Sequence, residues 1–198
     1  MKGCKTILCT GGIGSGKSFV VKALQIMGVP SFDMDSCAKA LYDEDPSLLR
    51  DVASVAGEDI VEGGRLVRSR LASRIFSSPD LLEKVEALVH PAVLRRFESW
   101  KEQQASKVVV VESAILLQKP ALRSVPDYIL YVTAPEEERI RRVQMRDGAS
   151  REEVLHRMAA QTDFSAEADY IIETNDRQPI IPALKEIIEQ IKNGKNRS

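Results

Sequence analysis

The chain has 198 residues, with 28 Lys and Arg against 29 Asp and Glu, so its formal net charge is −1. This near-neutral balance excludes a global field that would recruit nucleic acid or an anionic membrane, and anion binding must therefore be local. The length suits one α/β domain with an inserted subdomain, without disulfides. We expect a cytoplasmic protein, because the sequence shows neither a run of transmembrane length nor a signal-peptide core. Nothing in it indicates an obligate protein partner.

A glycine-rich segment follows the first predicted strand, residues 6–10. Its Gly11-x4-Gly16-Lys17-Ser18 spacing satisfies the P-loop pattern, and a predicted helix continues toward Met27. In such a loop, backbone N–H groups surround phosphate oxygens, Lys17 adds charge near the β and γ phosphates, and the Ser18 hydroxyl can ligate Mg²⁺. The alternative is a chance glycine-rich turn. The strand before it and the helix after it favour a nucleoside triphosphate site.

The remaining predicted strands alternate with helices, which indicates a parallel sheet covered on both faces. They comprise residues 29–32, 108–111, 127–132 and 170–172. Ligands of such sheets bind at the carboxyl ends of the strands, where the P-loop, Asp33 and Glu112 would converge.

Asp33 and Glu112 are the acidic candidates at that edge. Asp33 could orient an acceptor hydroxyl and take its proton, with Asp35 supporting magnesium-bound waters or the following helix. Alternatively, both aspartates cap that helix. Glu112 resembles a Walker-B-type carboxylate in the second shell of Mg²⁺, or it is an ordinary strand-terminal acid.

A polar, helix-rich region at residues 37–106 is too long for a simple crossover, and we interpret it as a substrate-binding insertion. Its Gly63-Gly64 pair predicts a turn. His90 precedes Pro91 between predicted helical segments, where a lone histidine is more often a packed turn residue than a ligand.

Three arginines, Arg139, Arg142 and Arg146, share a helical face and precede a break at residues 147–150. This pattern indicates a lid whose guanidinium groups close over phosphates. The alternative pairs them with the glutamates at 136–138 or leaves them solvated, which we expect for at least Arg139 and Arg141.

Together these motifs resemble the dephospho-coenzyme A kinase family over nearly the whole chain. The resemblance is carried by residues 10–18, Asp33-x-Asp35, Leu66-x-Arg68-x2-Leu71, Ile75-Phe76, His90-Pro91, Arg142-x3-Arg146-Asp147, Arg157-Met158-x2-Gln161 and Asn175.

The resemblance implies an α/β, three-layer P-loop NTPase fold with a five-stranded parallel sheet, an inserted helical substrate domain and a helical lid. The core would comprise 1–36 and 107–198, with the lid at about 139–165, and the coenzyme-binding insertion 37–106. The implied reaction moves the γ-phosphoryl group of ATP to the ribose 3′-hydroxyl of dephospho-coenzyme A, with Mg²⁺.

The resemblance also implies roles for individual residues. Asp33 would be the general base, Arg68 and His90 would lie on the acceptor side, and Arg142 and Arg146 would act from the lid. The implied ATP-binding residues are Gly12, Ile13, Gly14, Ser15, Gly16, Lys17, Ser18, Phe19 and Asn175.

The sequence departs from the family pattern at three places. Phe19 stands where Thr is frequent, Met34 replaces Ala, and Gln118 lacks the usual carboxylate, so we expect no charged role at Gln118. Two rival functions are another small-metabolite kinase and a P-loop regulatory switch. Against the switch, the chain has no guanine-reading Asn-Lys-x-Asp sequence.

Overall fold

The computed structural model of the chain describes residues 3–175 and 179–194. The chain divides into two compact units, one comprising Met1–Phe32 with Gln104–Ser198 and the other Asp33–Gln103. Within the described ranges, no helix is both long and apolar enough to cross a membrane.

The elements alternate along the chain much as the sequence predicts. The strands are β1 (Lys5–Thr10), β2 (Ser31–Asp33), β3 (Val61–Glu62), β4 (Arg65–Leu66), β5 (Val108–Glu112), β6 (Tyr128–Thr133) and β7 (Tyr170–Glu173). The α-helices are α1 (Lys17–Ile26), α2 (Met34–Glu44), α3 (Pro46–Ala56), α4 (Arg68–Ser77), α5 (Pro79–Glu102), α6 (Glu136–Asp147), α7 (Arg151–Ala159) and α8 (Ile181–Lys192). Strands β2-β5-β1-β6-β7 form one sheet in that spatial order, which confirms the predicted five-stranded parallel architecture.

The core of the first unit lies on this sheet. The β-branched run 108–111 in β5 is fully buried, as expected for a central parallel strand covered on both faces. Helices α1 and α8 contribute to the main cluster beside the strands. Helix α8 buries an apolar face whose residues recur at helical spacing, namely Leu184, Ile187, Ile188 and Ile191.

The glycine-rich loop connects β1 to α1 and depends on backbone conformations that only glycine adopts cheaply. Gly11, Gly14 and Gly16 have φ values of 148°, 75° and 90°. Helix α6 packs directly against this loop: a Cβ atom on Gly14 would lie 2.5 Å from the carbonyl oxygen of Arg139. The loop is therefore constrained both by its own backbone and by its neighbour.

Helices α6 and α7 form a hairpin with a small apolar cluster of its own. Ile140, Val143 and Val154 are buried together, and Ile13 of the glycine-rich loop packs against them. The Ser150 hydroxyl accepts the backbone N–H of Glu153, whose carboxylate accepts the N–H of Ser150, which is a complete capping box. The hairpin and the loop thus share one packed surface.

The second unit is mainly helical. Helix α5 packs against α2, α3 and α4. The turn predicted at Gly63-Gly64 is confirmed: both glycines have positive φ, and they join β3 to β4 in an antiparallel hairpin. The hairpin itself was not predicted, because two-residue strands are too short to show a period of two.

The predicted break at His90-Pro91 is wrong, because both residues lie inside the continuous helix α5. A proline in a helix interior removes one backbone hydrogen bond and normally favours an end or a kink. Helix α5 continues because it buries apolar side chains on both sides of Pro91, including Val85, Val89, Val93 and Phe97. Tertiary burial therefore offsets the local cost.

A matched pair of glycines tests the packing of the loop against α6. Gly14 and Gly148 have similar φ values of 75° and 67°, but a Cβ on Gly148 would meet no atom within 4 Å. We expect Gly148→Ala to cost about 1 to 2 kcal/mol of unfolding free energy, from left-handed strain alone. Gly14→Ala should cost about 2 kcal/mol more, because the methyl group also meets the α6 backbone. Urea unfolding of both variants measures the difference, and equal losses would contradict the close packing.

Candidate active site

Lys17 and Ser18 begin α1 at the end of the glycine-rich loop. The Lys17 ammonium group donates to the carbonyl oxygens of Gly11 at 2.7 Å and of Gly12 at 3.2 Å. Its charge is therefore held over the loop. The amino end of α1 adds the positive end of the helix dipole at the same place.

The Ser18 hydroxyl donates to the Glu112 carboxylate, with 2.7 Å between the oxygens. Glu112 is the last residue of β5, so the sheet brings this acid to the start of α1. Mg²⁺ bound with a nucleotide takes most of its oxygen ligands from phosphates and water and needs one or two from the protein. A serine hydroxyl backed by a carboxylate fits that requirement. The described residues contain no separate cluster of three or more His, Cys, Asp or Glu side chains suited to a metal ion.

Thr174, just after β7, connects the loop to α6. Its buried hydroxyl donates to the Ser15 carbonyl oxygen at 2.6 Å and accepts a hydrogen bond from Arg142 Nη1 at 2.7 Å. Arg142 Nη1 also donates to the Gly14 carbonyl oxygen at 3.3 Å, and Nη2 donates to the Thr174 carbonyl oxygen at 3.2 Å. One hydroxyl and one guanidinium group thus fix two successive loop carbonyls.

Arg139 and Gln161 hold the preceding residue of the loop. Arg139 Nε donates to the Ile13 carbonyl oxygen at 3.0 Å, and the Ile13 N–H donates to the Gln161 side-chain oxygen at 2.7 Å. The expectation that Arg139 is solvated or paired with a glutamate is therefore wrong, because its position on α6 faces the loop. For Arg141 the same expectation is confirmed: it is exposed and pairs with Glu138 at 2.6 Å.

The carbonyls of residues 13, 14 and 15 are bound by Arg139, Arg142 and Thr174 in turn. In a trans peptide the C=O and the following N–H point in opposite directions, and the described chain contains no cis peptide bond. Anchoring these carbonyls on one side therefore directs the next N–H groups away from the anchors. For Gly14 and Gly16 this is the geometry that an anion-binding loop needs, whereas the Ser15 N–H closes a turn within the loop.

Ser15 contributes to the loop through its main chain. The residue is 1% exposed, and its hydroxyl oxygen has no hydrogen-bond partner among the described residues. Its N–H donates to the Gly12 carbonyl oxygen at 3.2 Å, which closes a turn within the loop.

Arg146 lies near the carboxyl end of α6 and is paired in the structure. Its guanidinium group contacts the Asp147 carboxylate at 2.7 and 3.0 Å, and Arg157 contacts the same carboxylate at 3.2 Å. The hydrogen bonds from Arg146, supported by the charge of Arg157, lower the pKa of Asp147 below its usual value. Arg146 nonetheless remains 63% exposed.

A cavity of about 700 Å³ begins beside Gly16. It brings together four residues predicted to act on the nucleotide, namely Gly16, Phe19, Arg142 and Asn175, and it continues to Ile181 on α8. The Asn175 side chain donates to the Glu173 carboxylate at 2.8 Å. The loop and this cavity are adjacent parts of the same unit.

The candidates of the second unit also have local structural partners. Asp33 is the N-cap of α2: its carboxylate accepts the Ser36 N–H at 2.9 Å and the Ser36 hydroxyl at 2.6 Å. Arg68 begins α4 and donates to the Asp43 carboxylate at 2.8 Å and to the Lys39 carbonyl oxygen at 3.0 Å. The capping alternative for Asp33 is therefore correct as a description of its contacts, although a cap leaves other lone pairs of the carboxylate available.

His90 is half-buried within α5, where it has an interaction partner. Gln118 lies in the short 3₁₀ turn Leu116–Gln118 and faces a small cleft beside Gly11, Gly12 and Gln161.

Sequence reasoning assigned no role to Thr174 or Gln161. Thr174 lies two residues beyond the predicted strand 170–172, so the rule that sites form at the carboxyl ends of strands could have found it. Gln161 was noticed as part of a motif, but its contact with Ile13 spans 148 positions and leaves no local signal. None of Cys4, Cys9 and Cys37 is in a disulfide, and burial raises the pKa of the Cys9 thiol to about 12, which leaves it protonated.

Comparison with known proteins agrees with this arrangement. Residues 6–179 match the family model described as dephospho-CoA kinase. A dephospho-CoA kinase of Porphyromonas gingivalis is 39% identical over 191 residues, covering 94% of each chain. One of Thermus thermophilus is 36% identical over 189 residues, covering 93% of this chain and 91% of the relative.

Solved structures share the fold. The crystal structure of TT1252 from Thermus thermophilus superimposes with a TM-score of 0.81 at 35% identity, covering 96% of this chain and 98% of that one. A shikimate kinase of Bacteroides thetaiotaomicron shares the fold, with a TM-score of 0.55 at 16% identity. Because the family model covers most of the sequence and several relatives exceed 30% identity over nearly their whole length, the chain belongs to the dephospho-CoA kinase family.

Proposed function

We propose that the chain transfers the γ-phosphoryl group of ATP to the ribose 3′-hydroxyl of dephospho-coenzyme A, yielding coenzyme A and ADP. The observation that carries the proposal is the match to the dephospho-CoA kinase family from residue 6 to residue 179. The anchored loop that presents Lys17 and Ser18 supports it, because phosphoryl transfer depends mainly on positioning and on stabilising charge. A location in the cytoplasm, where ATP is available, is part of the same proposal.

The donor phosphates would lie against the glycine-rich loop and the amino end of α1. Lys17 would exchange its carbonyl partners for phosphate oxygens, which are stronger acceptors for an ammonium group. Ser18, supported by Glu112, would hold Mg²⁺, which when bound neutralises charge that develops on the phosphates.

The acceptor would be bound by the unit Asp33–Gln103, which we propose is the coenzyme-binding insertion. Asp33 would accept the proton of the attacking hydroxyl, and Arg68 and His90 would contact the acceptor. A carboxylate suits this task because both of its oxygens accept hydrogen bonds. Its cap to Ser36 would fix the orientation of the carboxylate before the acceptor binds.

The hairpin of α6 and α7 would act as the lid. Arg142 is already fixed beside the loop, whereas Arg146 is exposed and would exchange Asp147 for a phosphate oxygen on closure. Closure would also exclude water, which competes with the acceptor for the phosphoryl group.

The proposal is tested by following ADP release with saturating ATP and Mg²⁺. Release should be slow until dephospho-coenzyme A is added, and the product should carry its new phosphate on the ribose 3′-oxygen. Adenosine and AMP should be much poorer acceptors, because they lack the remote pantetheine arm whose binding energy positions the hydroxyl. More efficient phosphorylation of AMP or shikimate than of dephospho-coenzyme A would overturn the acceptor assignment. The chain would still be a kinase.

Two substitutions separate the structural and chemical roles of Asp33. Asn caps a helix about as well as Asp, so Asp33→Asn should leave the unfolding free energy unchanged while turnover falls by about 10²-fold or more. Asp33→Ala should lose turnover and also about 1 kcal/mol of stability, because the cap to Ser36 is removed. Steady-state kinetics and urea unfolding measure both effects. Full turnover in the Asn variant would leave Asp33 with its capping role alone.

A further inference from the structure

We propose that the ring of Phe19 binds the base of the nucleotide donor. The proposal rests on the proposed function, since it takes the triphosphate to lie in the glycine-rich loop. Phe19 follows Ser18 on α1, and 63% of its surface is exposed. Exposure alone does not indicate a ligand, but an exposed aromatic side chain directly after a predicted phosphate-binding loop is a candidate contact for the rest of the nucleotide.

Phe19 belongs to an exposed apolar surface along one face of α1. Ile26 lies seven positions later on the same helical face and is 80% exposed, and Ile181 of α8 is 39% exposed across the same cavity. Exposed apolar surfaces that line a concave site commonly mark a ligand contact. Phe19 is the member of this set nearest to the loop in sequence.

The position of the cavity favours the base over other parts of the donor. The cavity begins beside Gly16, the last glycine of the loop, and its volume of about 700 Å³ lies within the usual range for small-ligand sites. A nucleotide whose phosphates occupy the loop would extend from Gly16 into this space. The group that extends is the nucleoside.

Arg142 gives a second reason to expect an aromatic ligand. Arg142 lines the same cavity, and the bonds to Thr174 and Gly14 fix the orientation of its guanidinium group. Guanidinium planes and phenyl rings both pack against the faces of aromatic rings. A purine base presents such a face, whereas the ribose and the phosphates do not.

Calorimetric titration with two probes tests this role. ATP carries a base and inorganic tripolyphosphate does not, and each would be titrated with Mg²⁺ into wild type, Phe19→Ala and Phe19→Tyr. We expect Phe19→Ala to weaken ATP binding about ten-fold, which is the scale of losing one stack between a base and an aromatic ring. Binding of tripolyphosphate should change less than about two-fold, and Phe19→Tyr should bind ATP like wild type, because it keeps the ring.

Phe76 supplies a matched control. It is 95% exposed on α4, in the other unit, so Phe76→Ala removes the same ring from a different surface. The Phe76→Ala variant should bind ATP and tripolyphosphate with the same affinities as wild type.

Two results would overturn the role of Phe19. Unchanged ATP affinity in Phe19→Ala would show that the ring does not contact the base, and equal losses for ATP and tripolyphosphate would show that Phe19 acts through the loop. The proposed function is decided separately, by ADP release that depends on dephospho-coenzyme A. If Phe19→Ala selectively weakens ATP binding but ADP release does not depend on dephospho-coenzyme A, the role of Phe19 stands and the proposed acceptor is wrong.

Discussion

The hydrogen bonds of the Thr174 hydroxyl are the interactions on which the geometry of the glycine-rich loop depends. The hydroxyl is buried, it donates to the Ser15 carbonyl oxygen, and it accepts from Arg142, which also donates to the Gly14 carbonyl oxygen. Together with the bond from Arg139 to Ile13, these contacts anchor three successive carbonyls. In a trans peptide the C=O and the following N–H point in opposite directions. Hydrogen bonds that hold the carbonyls therefore set the direction of the N–H groups before any ligand binds. Such preorganisation avoids reorganising the loop during the reaction.

The same contacts concentrate positive charge where the overall charge of the chain provides none. The formal net charge is −1, but Lys17, Arg139 and Arg142 all bond to carbonyls of the glycine-rich loop. The amino end of α1 adds its dipole. The charge that would attract an anion is consequently a local property of the loop after β1, not of the protein surface as a whole.

Much of the architecture could be predicted because it is encoded locally. The buried run of β5, the spacing of apolar residues in α8 and the glycines at 63 and 64 each carry their own signal. The P-loop could also be predicted, since its glycines are adjacent in sequence. Local signals failed at Pro91, where burial on both sides of the proline keeps α5 continuous against an unfavourable local preference.

The contacts around the loop could not be predicted, because they join residues far apart in the chain. Thr174 bonds to Ser15 across 159 positions, and Gln161 bonds to Ile13 across 148. The face of α6 that packs against the loop was likewise ambiguous. Spacing groups Arg139 with Arg142 and Arg146, but the first two bond to the loop whereas Arg146 pairs with Asp147.

The anchoring of the loop is tested most directly by ATP affinity in Thr174→Val and Thr174→Ser. Valine keeps the shape but leaves the Ser15 carbonyl and one Arg142 N–H without their buried partner, whereas serine keeps the hydroxyl. ATP affinity should fall about ten-fold in the valine variant, as expected for leaving a buried polar group unpaired, and should stay within about three-fold of wild type in the serine variant. Wild-type affinity in Thr174→Val would contradict the account, because the loop would then be organised without this hydroxyl.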